Sequence, residues 1–270
     1  MRRRFSSPRN LVSFVLLASL AFFIACTPSP EQDAPEISPP AESCPPVSST
    51  PPQSYFLPRN GSWELPSDTP TGRMPSCEGT ITIEGLGEFT VDPLEIETVR
   101  PDVFGPGHFS VFDVLVDLAE KGWFTMDYHY NECLQTHVIE QLDGRMNWWY
   151  RAHYSSGWYE LNAFRMDLCP YKDGTSILLR QQTDEFIGRL YDSFADEVRR
   201  RSLNQGRVVI PEVRIGPVIH TDVPVSAHDV RSDVLMPGTL TALDVLLSLA
   251  DQGKIDRMKL TWYGSIGTAD

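Results

Sequence analysis

The sequence predicts an α+β protein that contains two copies of one folded unit. When the chain is shifted by 131 residues, 90–122 aligns with 221–253 without a gap, and 14 of the 33 positions are identical. The aligned segment carries the apolar period of an amphipathic helix. The stretches around it alternate apolar and polar residues, as strands with one buried face do. Each copy is therefore expected to pack one helix on a sheet.

The chain begins with the pattern of an exported protein. Residues 1–25 combine a basic start with an apolar run too short to span a bilayer comfortably, which is typical of a signal peptide. The run ends in Phe23-Ile24-Ala25-Cys26, which resembles the lipobox of bacterial lipoproteins. That resemblance implies a diacylglycerol on Cys26 and a lipid anchor to a bacterial membrane at the cell envelope. The alternative is an ordinary secretory peptide in which Cys26 is an incidental thiol.

Residues 26–76 are expected to form a disordered tether. The stretch 27–76 holds 13 of the chain's 22 prolines, mixed with small polar residues, and such a composition cannot bury enough apolar surface to fold. An apolar island at 55–57 and 63–65 is the part of the tether for which docking onto the folded body is indicated.

The predicted helix of each copy has the same start and stop signals. They are an N-cap hydroxyl, an acid three residues later that completes a capping box, and a glycine at the C-terminal end. In the first copy these are Ser110, Asp113 and Gly122, and in the second they are Thr241, Asp244 and Gly253.

The first copy, 79–182, is predicted to have two strands before the helix and several after it. The alternating stretches are 80–83, 94–97, 124–130, 138–142, 148–154 and 176–180. Two strands, one crossing helix and further strands is a β-grasp order, in which the helix packs on a mixed sheet. The fold class is thus α+β with two β-grasp-like repeats.

The two repeats are joined by 183–207, which is predicted to be a packed helix. Its apolar residues share one face, its acids lie at the N-terminal end and its arginines at the C-terminal end, as the helix dipole favours. The second repeat, 208–270, has no counterpart of 140–182. We therefore expect an incomplete unit, to be completed either by further residues in the intact gene or by a partner's strand.

Several motifs of the first repeat resemble the transcobalamin-like C-terminal domain family. They are the helix segment FSVFDVLVDLAEKG, the aromatic stretch WWYRAHYSSGWYELN and the turn Lys172-Asp173-Gly174-Thr175. The family consists of soluble ligand-binding β-grasp modules of exported bacterial proteins. The resemblance implies a binding module. In this chain Ser155-Ser156-Gly157 replaces the family's Asn-Gly loop, and Thr175 replaces an acid in its last turn.

The four cysteines after Cys26 are expected to form disulfides, because the protein is exported and their number is even. Four cysteines allow three connectivities. We favour Cys133–Cys169 within the first repeat and Cys44–Cys77 between the tether and that repeat.

The densest aromatic patch is the candidate ligand-binding surface. Its members are Trp148, Trp149, Tyr150, Tyr154, Trp158 and Tyr159. Because strand alternation sends Trp149 to the face opposite Trp148 and Tyr150, at least one large ring is expected to be exposed. The alternative is that both faces are covered and the rings are core.

No other feature predicts chemistry. His129, Glu132, Cys133 and His137 have spacing that metal ligands can have, but turn residues and a disulfide explain them, so neither a metal nor a cofactor is predicted. Hydrolase and phosphate-binding motifs are absent, so an enzyme is not expected. After residue 25 the chain has 19 basic and 36 acidic residues, which argues against nucleic acid as a partner. The predicted function is non-enzymatic binding of a small ligand or partner, and the alternative is a structural or adhesion module.

Overall fold

A computed structural model of the chain describes residues 53–57, 74–76, 78–153, 159–160, 164–173, 175–255, 258–263 and 268–269. The signal peptide and Cys26 lie outside these residues. The described part is an α+β structure with three α-helices and mixed and antiparallel sheets. Its helices are all too short or too polar to cross a membrane.

The strands and helices are as follows. The strands are β1 Gln53–Leu57, β2 Gly79–Ile83, β3 Gly87–Val91, β4 Met126–Asn131, β5 Thr136–Leu142, β6 Trp148–His153, β7 Tyr159–Glu160, β8 Ser176–Gln181, β9 Val208–Ile215, β10 Val218–Val225, β11 Met258–Tyr263 and β12 Thr268–Ala269. The α-helices are α1 Val111–Glu120, α2 Asp184–Leu203 and α3 Ala242–Asp251.

The first repeat is built on a five-stranded sheet with the order β3-β2-β8-β6-β7. The first and last long strands, β2 and β8, lie side by side and run parallel, whereas the other neighbours are antiparallel. Parallel neighbours need a long crossover, which here contains α1 and the separate hairpin β4–β5.

One predicted strand is wrong. Residues 94–97 do not pair in the sheet; Pro93–Glu95 form a short 3₁₀ turn, and the second strand is β3, seven residues earlier in the chain. The side chain of Asp92 accepts a hydrogen bond from the Leu94 amide, and Pro93 fixes a backbone angle that suits a turn. These local preferences override the alternating pattern.

Helix α1 supplies much of the first repeat's core. Phe112, Val114 and Leu115 are fully buried against the sheet and the loops around it. Both predicted capping boxes are confirmed: Ser110 pairs with Asp113 at the start of α1, and Thr241 pairs with Asp244 at the start of α3.

The predicted helix over 183–207 spans Asp184–Leu203 and packs on the first repeat. Its buried residues Ile187 and Phe194 face the core, and the Phe194 ring lies 6.2 Å from that of Trp149. Arg165 of the first repeat also contacts this face of α2: it pairs with Glu197 at 2.7 Å and lies over the Phe194 ring. This helix therefore covers a face of the β-sheet as well as joining the repeats.

The second repeat has elements at the positions that the 131-residue shift requires. Helix α3 corresponds residue for residue to α1, the hairpin β9–β10 overlaps the counterparts of β2–β3, and β11 overlaps the counterpart of β4. Its core is smaller. Leu243, Val245 and Leu246 of α3 are half-buried. Their equivalents in α1, which are Phe112, Val114 and Leu115, are fully buried.

The two repeats meet through the same segment of each. The Gly105 amide donates to the Val234 carbonyl and the Met236 amide donates to the Val103 carbonyl, both at 2.8 Å. Under the 131-residue shift Gly105 is equivalent to Met236 and Val103 to Val234, so the two bonds are reciprocal. The contact therefore has local two-fold symmetry.

Part of the predicted disordered tether is a strand. Gln53–Leu57 pair antiparallel with β11 of the second repeat, from Gln53 opposite Trp262 to Leu57 opposite Met258. The physical reason is that these five residues contain no proline and have a high strand propensity, and the exposed edge of β11 offers unpaired backbone groups.

Candidate functional site: the groove beside Trp123

The predicted aromatic surface is part of the core. Trp148, Trp149 and Tyr150 are each less than a tenth exposed, so the expectation of an exposed ring fails for these three. Alternation does send them to opposite faces, but α2 covers the face of Trp149. Tyr154 and Trp158 lie outside the described residues, and only the backbone of Tyr159 is described.

A different tryptophan is exposed. Trp123 follows the end of α1 and is 62% exposed. Its place is fixed by the helix ending: the Gly122 amide donates to Ala119 and the Trp123 amide donates to Leu118, with Gly122 at a φ of 78°. This is the glycine-dependent ending that the sequence predicts. The Trp123 and Phe89 rings pack edge-to-face, with their centroids 5.8 Å apart.

Trp123 borders an open groove of about 550 Å³ between the end of α1 and the start of β4. The floor is apolar and includes Val116 and Phe124, whereas Tyr128 is a second partly exposed ring at the rim. Three exposed carboxylates complete the lining: Glu120, Asp127 and Asp143. The groove can therefore hold an apolar or aromatic group beside a positive charge.

The negative charge of the groove is not neutralised by the contacts made there. Asp143 accepts hydrogen bonds from the Thr125 amide and hydroxyl, and Asp127 accepts one from the Gln141 amide group, so their partners are neutral. The nearby Lys121 is paired elsewhere, with Glu95 at 2.8 Å and Asp117 at 3.0 Å.

The equivalent corner of the second repeat has different chemistry. The α3 ending uses the same two hydrogen bonds, made by Gly253 and Lys254, so Lys254 stands at the position of Trp123. Met258 replaces Asp127 and Lys259 replaces Tyr128. The scaffold is thus shared, and the aromatic, acidic lining belongs to the first repeat.

A second polar cluster lies buried under the hairpin β4–β5. Asp167 is fully buried and accepts hydrogen bonds from Arg100 at 2.9 Å, from the His137 amide and ring at 2.9 and 3.0 Å, and from the Thr136 hydroxyl. Burial alone would raise the pKa of Asp167, but the hydrogen bonds from His137, Thr136 and Arg100 hold this pKa below its ordinary value. The cluster ties three separate segments together and is structural.

The residues of the possible metal cluster do not converge. His129 is partly exposed and pairs with Glu140 at 3.1 Å, whereas His137 pairs with the buried Asp167. Within the part of the chain that the structure describes, no group of three or more His, Cys, Asp and Glu residues has a geometry that suits a metal ion.

The structure places the two cysteines of the predicted disulfide Cys133–Cys169 at different depths. Cys133 is exposed in the turn between β4 and β5, whereas Cys169 is buried beside the start of α1, where its carbonyl accepts from the Val111 amide. The separation of the two cysteines in the sequence does not indicate that one is buried and the other exposed. Cys44 and Cys77 lie outside the described residues.

Comparison with protein-family models and with curated proteins finds no match to this chain.

Sequence reasoning missed Trp123, and one signal for it exists. The helix endings of the two repeats align at Gly122 and Gly253, and the next residue is Trp123 in one and Lys254 in the other. A large apolar residue directly after a helix C-terminus, where the other copy has a cation, marks a surface that differs between two otherwise matched scaffolds.

Two tryptophan substitutions test that Trp149 is a core residue and that Trp123 is a surface residue. Trp149→Ala should lower the free energy of unfolding by about 3–5 kcal/mol, because it removes a buried ring. Trp123→Ala should lower this free energy by less than about 1.5 kcal/mol, which is the upper limit for the stabilisation by one aromatic pair, here Trp123 with Phe89. Denaturant titration measures both. Equal losses would contradict the assignment.

Removal of the Asp167 charge should destabilise the first repeat strongly. Asp167→Asn leaves Arg100 buried without this partner and should cost about 3–5 kcal/mol, whereas Asp102→Asn, at an exposed carboxylate, should cost less than about 1 kcal/mol.

The same charge should also contribute to acid sensitivity. Because the folded pKa of Asp167 is lowered, its stabilisation is complete above the unfolded value of about 3.9 and is lost as the pH falls through the folded pKa. The free energy of unfolding should therefore change less between pH 7 and pH 3 in Asp167→Asn than in the wild type. An unchanged difference would show that Asp167 does not carry this effect.

Proposed function

We propose that this protein is a lipid-anchored binding module of the bacterial cell envelope, non-enzymatic, with the groove beside Trp123 as its binding surface. The observation that carries the proposal is the groove itself: an exposed indole, a second ring and three carboxylates around an apolar floor. Exposed aromatic rings in a concave site are costly to leave in water and are common in binding sites.

The topology of the first repeat supports a β-grasp interpretation. Two strands precede a helix, the first and last long strands are parallel in the centre of the sheet, and the second strand lies at its edge. We interpret the second repeat as a copy of the same unit because its helix and hairpins lie at the 131-residue spacing. The resemblance to the transcobalamin-like C-terminal domain family accords with this interpretation and with a ligand-binding role.

The anchor is proposed from the sequence of the N-terminal segment. The basic start, the short apolar run and the lipobox-like end at Cys26 favour lipidation and display at the envelope. The second candidate function is a structural or adhesion module. The burial of Trp148, Trp149 and Tyr150 favours it, because those rings serve packing instead of recognition.

Lipidation is tested by Cys26→Ala. The variant lacks the thiol that would receive the diacylglycerol, so it should leave the membrane fraction and appear in the soluble fraction. Fractionation of cells that express each form measures this. A variant that stays with the membrane would contradict the anchor and indicate an uncleaved helix.

Binding at the groove is tested by site-specific photo-crosslinking in living cells. A benzophenone amino acid at position 123 should form adducts with the bound species, and the same group at position 254 is the matched control on the other repeat. The intact mass of the adduct distinguishes a small ligand from a protein. Adducts at neither position, or equally at both, would favour the structural module.

A further inference from the structure

In the hairpin β4–β5, the outer edge of β4 is unpaired among the described residues. Strand β4 pairs with β5, and among the residues that the structure describes it has no other strand partner. Its four central residues, 127–130, are exposed. An exposed edge of this kind presents a row of backbone donors and acceptors.

The second repeat shows what fits this edge. Its strand β11 is the counterpart of β4, and the strand on the outer edge of β11 is β1, an antiparallel segment of five residues. Among the described residues, the same edge therefore has a strand partner in one repeat and none in the other.

The register of β1 can be transferred to β4 by the 131-residue shift. Gln53 lies opposite Trp262, and Leu57 lies opposite Met258. The equivalent positions in β4 are Asn131 and Asp127. A strand in this register would end beside Asp127, and the residues after it would continue along the groove.

The charge of the groove indicates what should follow such a strand. Glu120, Asp127 and Asp143 line the groove at this end of β4, and two of them have neutral hydrogen-bond partners. A lysine or arginine after the strand would meet these carboxylates and the faces of Trp123 and Tyr128. In this chain the residues after β1 are Pro58 and Arg59.

We propose that β4 binds an extended segment of another envelope protein, as an added antiparallel strand with a basic residue just after its C-terminal end. The inference rests on the proposed function and names its ligand class. Backbone hydrogen bonds to β4 would supply affinity, and the groove would select the basic and aromatic residues. The equivalent edge of repeat two would not compete, because β1 of the same chain covers it.

The test uses a fluorescein-labelled peptide with the sequence of residues 51–60, PPQSYFLPRN, and the soluble Cys26→Ala chain. Fluorescence anisotropy should show saturable binding. Trp123→Ala and Asp127→Lys should each weaken the affinity at least tenfold, as should an Arg59→Glu change in the peptide. Lys254→Ala and Lys259→Ala, the matched changes in the second repeat, should leave the affinity unchanged.

Two N-methylated peptides test strand pairing. Adjacent amides in a strand point to opposite sides, so methylation at Ser54 and Phe56 and methylation at Gln53, Tyr55 and Leu57 block opposite edges. One of these peptides should lose binding, and the other should retain it.

Each other outcome overturns the inference in a distinct way. Binding that needs Trp123 but tolerates both methylation patterns would leave the groove as a binding site and exclude an added strand. Binding that ignores Trp123→Ala would mean exchange with β1 at the second repeat. Absence of binding would exclude this peptide class, while crosslinking at position 123 would still test the proposed function. Dimerisation of the chain alone, abolished by Trp123→Ala, would replace the partner protein with a second copy.

Discussion

In each repeat, a buried carboxylate at the start of the helix, Asp113 in α1 and Asp244 in α3, joins the helix to the preceding loop. Asp113 accepts from the Ser110 amide and hydroxyl at 2.6 and 2.7 Å and from the Val99 amide at 2.7 Å. Asp244 repeats the first two bonds with Thr241 and takes its third from the His228 amide. Because a buried charge is costly without such partners, each helix start is locked to the loop before it. The glycine endings at the other ends of α1 and α3 then place Trp123 and Lys254.

The two repeats share this scaffold and differ in what they present. After the same glycine ending, the first repeat presents an aromatic ring with acids and the second presents lysines. The strand edges differ in the same place, since β1 covers β11, whereas no described strand covers the outer edge of β4. The duplication therefore gives the two repeats different chemistry at the same corner, and in the second repeat a segment of the same chain lies on the matching strand edge.

The sequence predicts the α+β class, the helices and both capping boxes because these depend on local patterns. It misplaces the second strand, where Pro93 and Asp92 favour a turn, and it misses β1, whose pairing partner is some 200 residues away. The depth of Trp149 depends on α2 packing above it, and that of Cys133 and Cys169 on the arrangement of loops. Such tertiary features leave no periodic pattern, so the exposure of Trp149 is predicted incorrectly. Trp123 stands out in the sequence only when the two copies are aligned, because Lys254 occupies the equivalent position.

The central claim is that equivalent strand edges are covered in one repeat and, within the described part of the chain, open in the other. Amide hydrogen exchange of the unliganded chain, followed residue by residue by NMR, tests this directly. The account predicts strong protection of those amides in Met258–Trp262 that bond to β1. In β4 it predicts protection only of the amides that bond to β5, with the alternate amides exchanging rapidly. Equal protection of the two strands would contradict the claim.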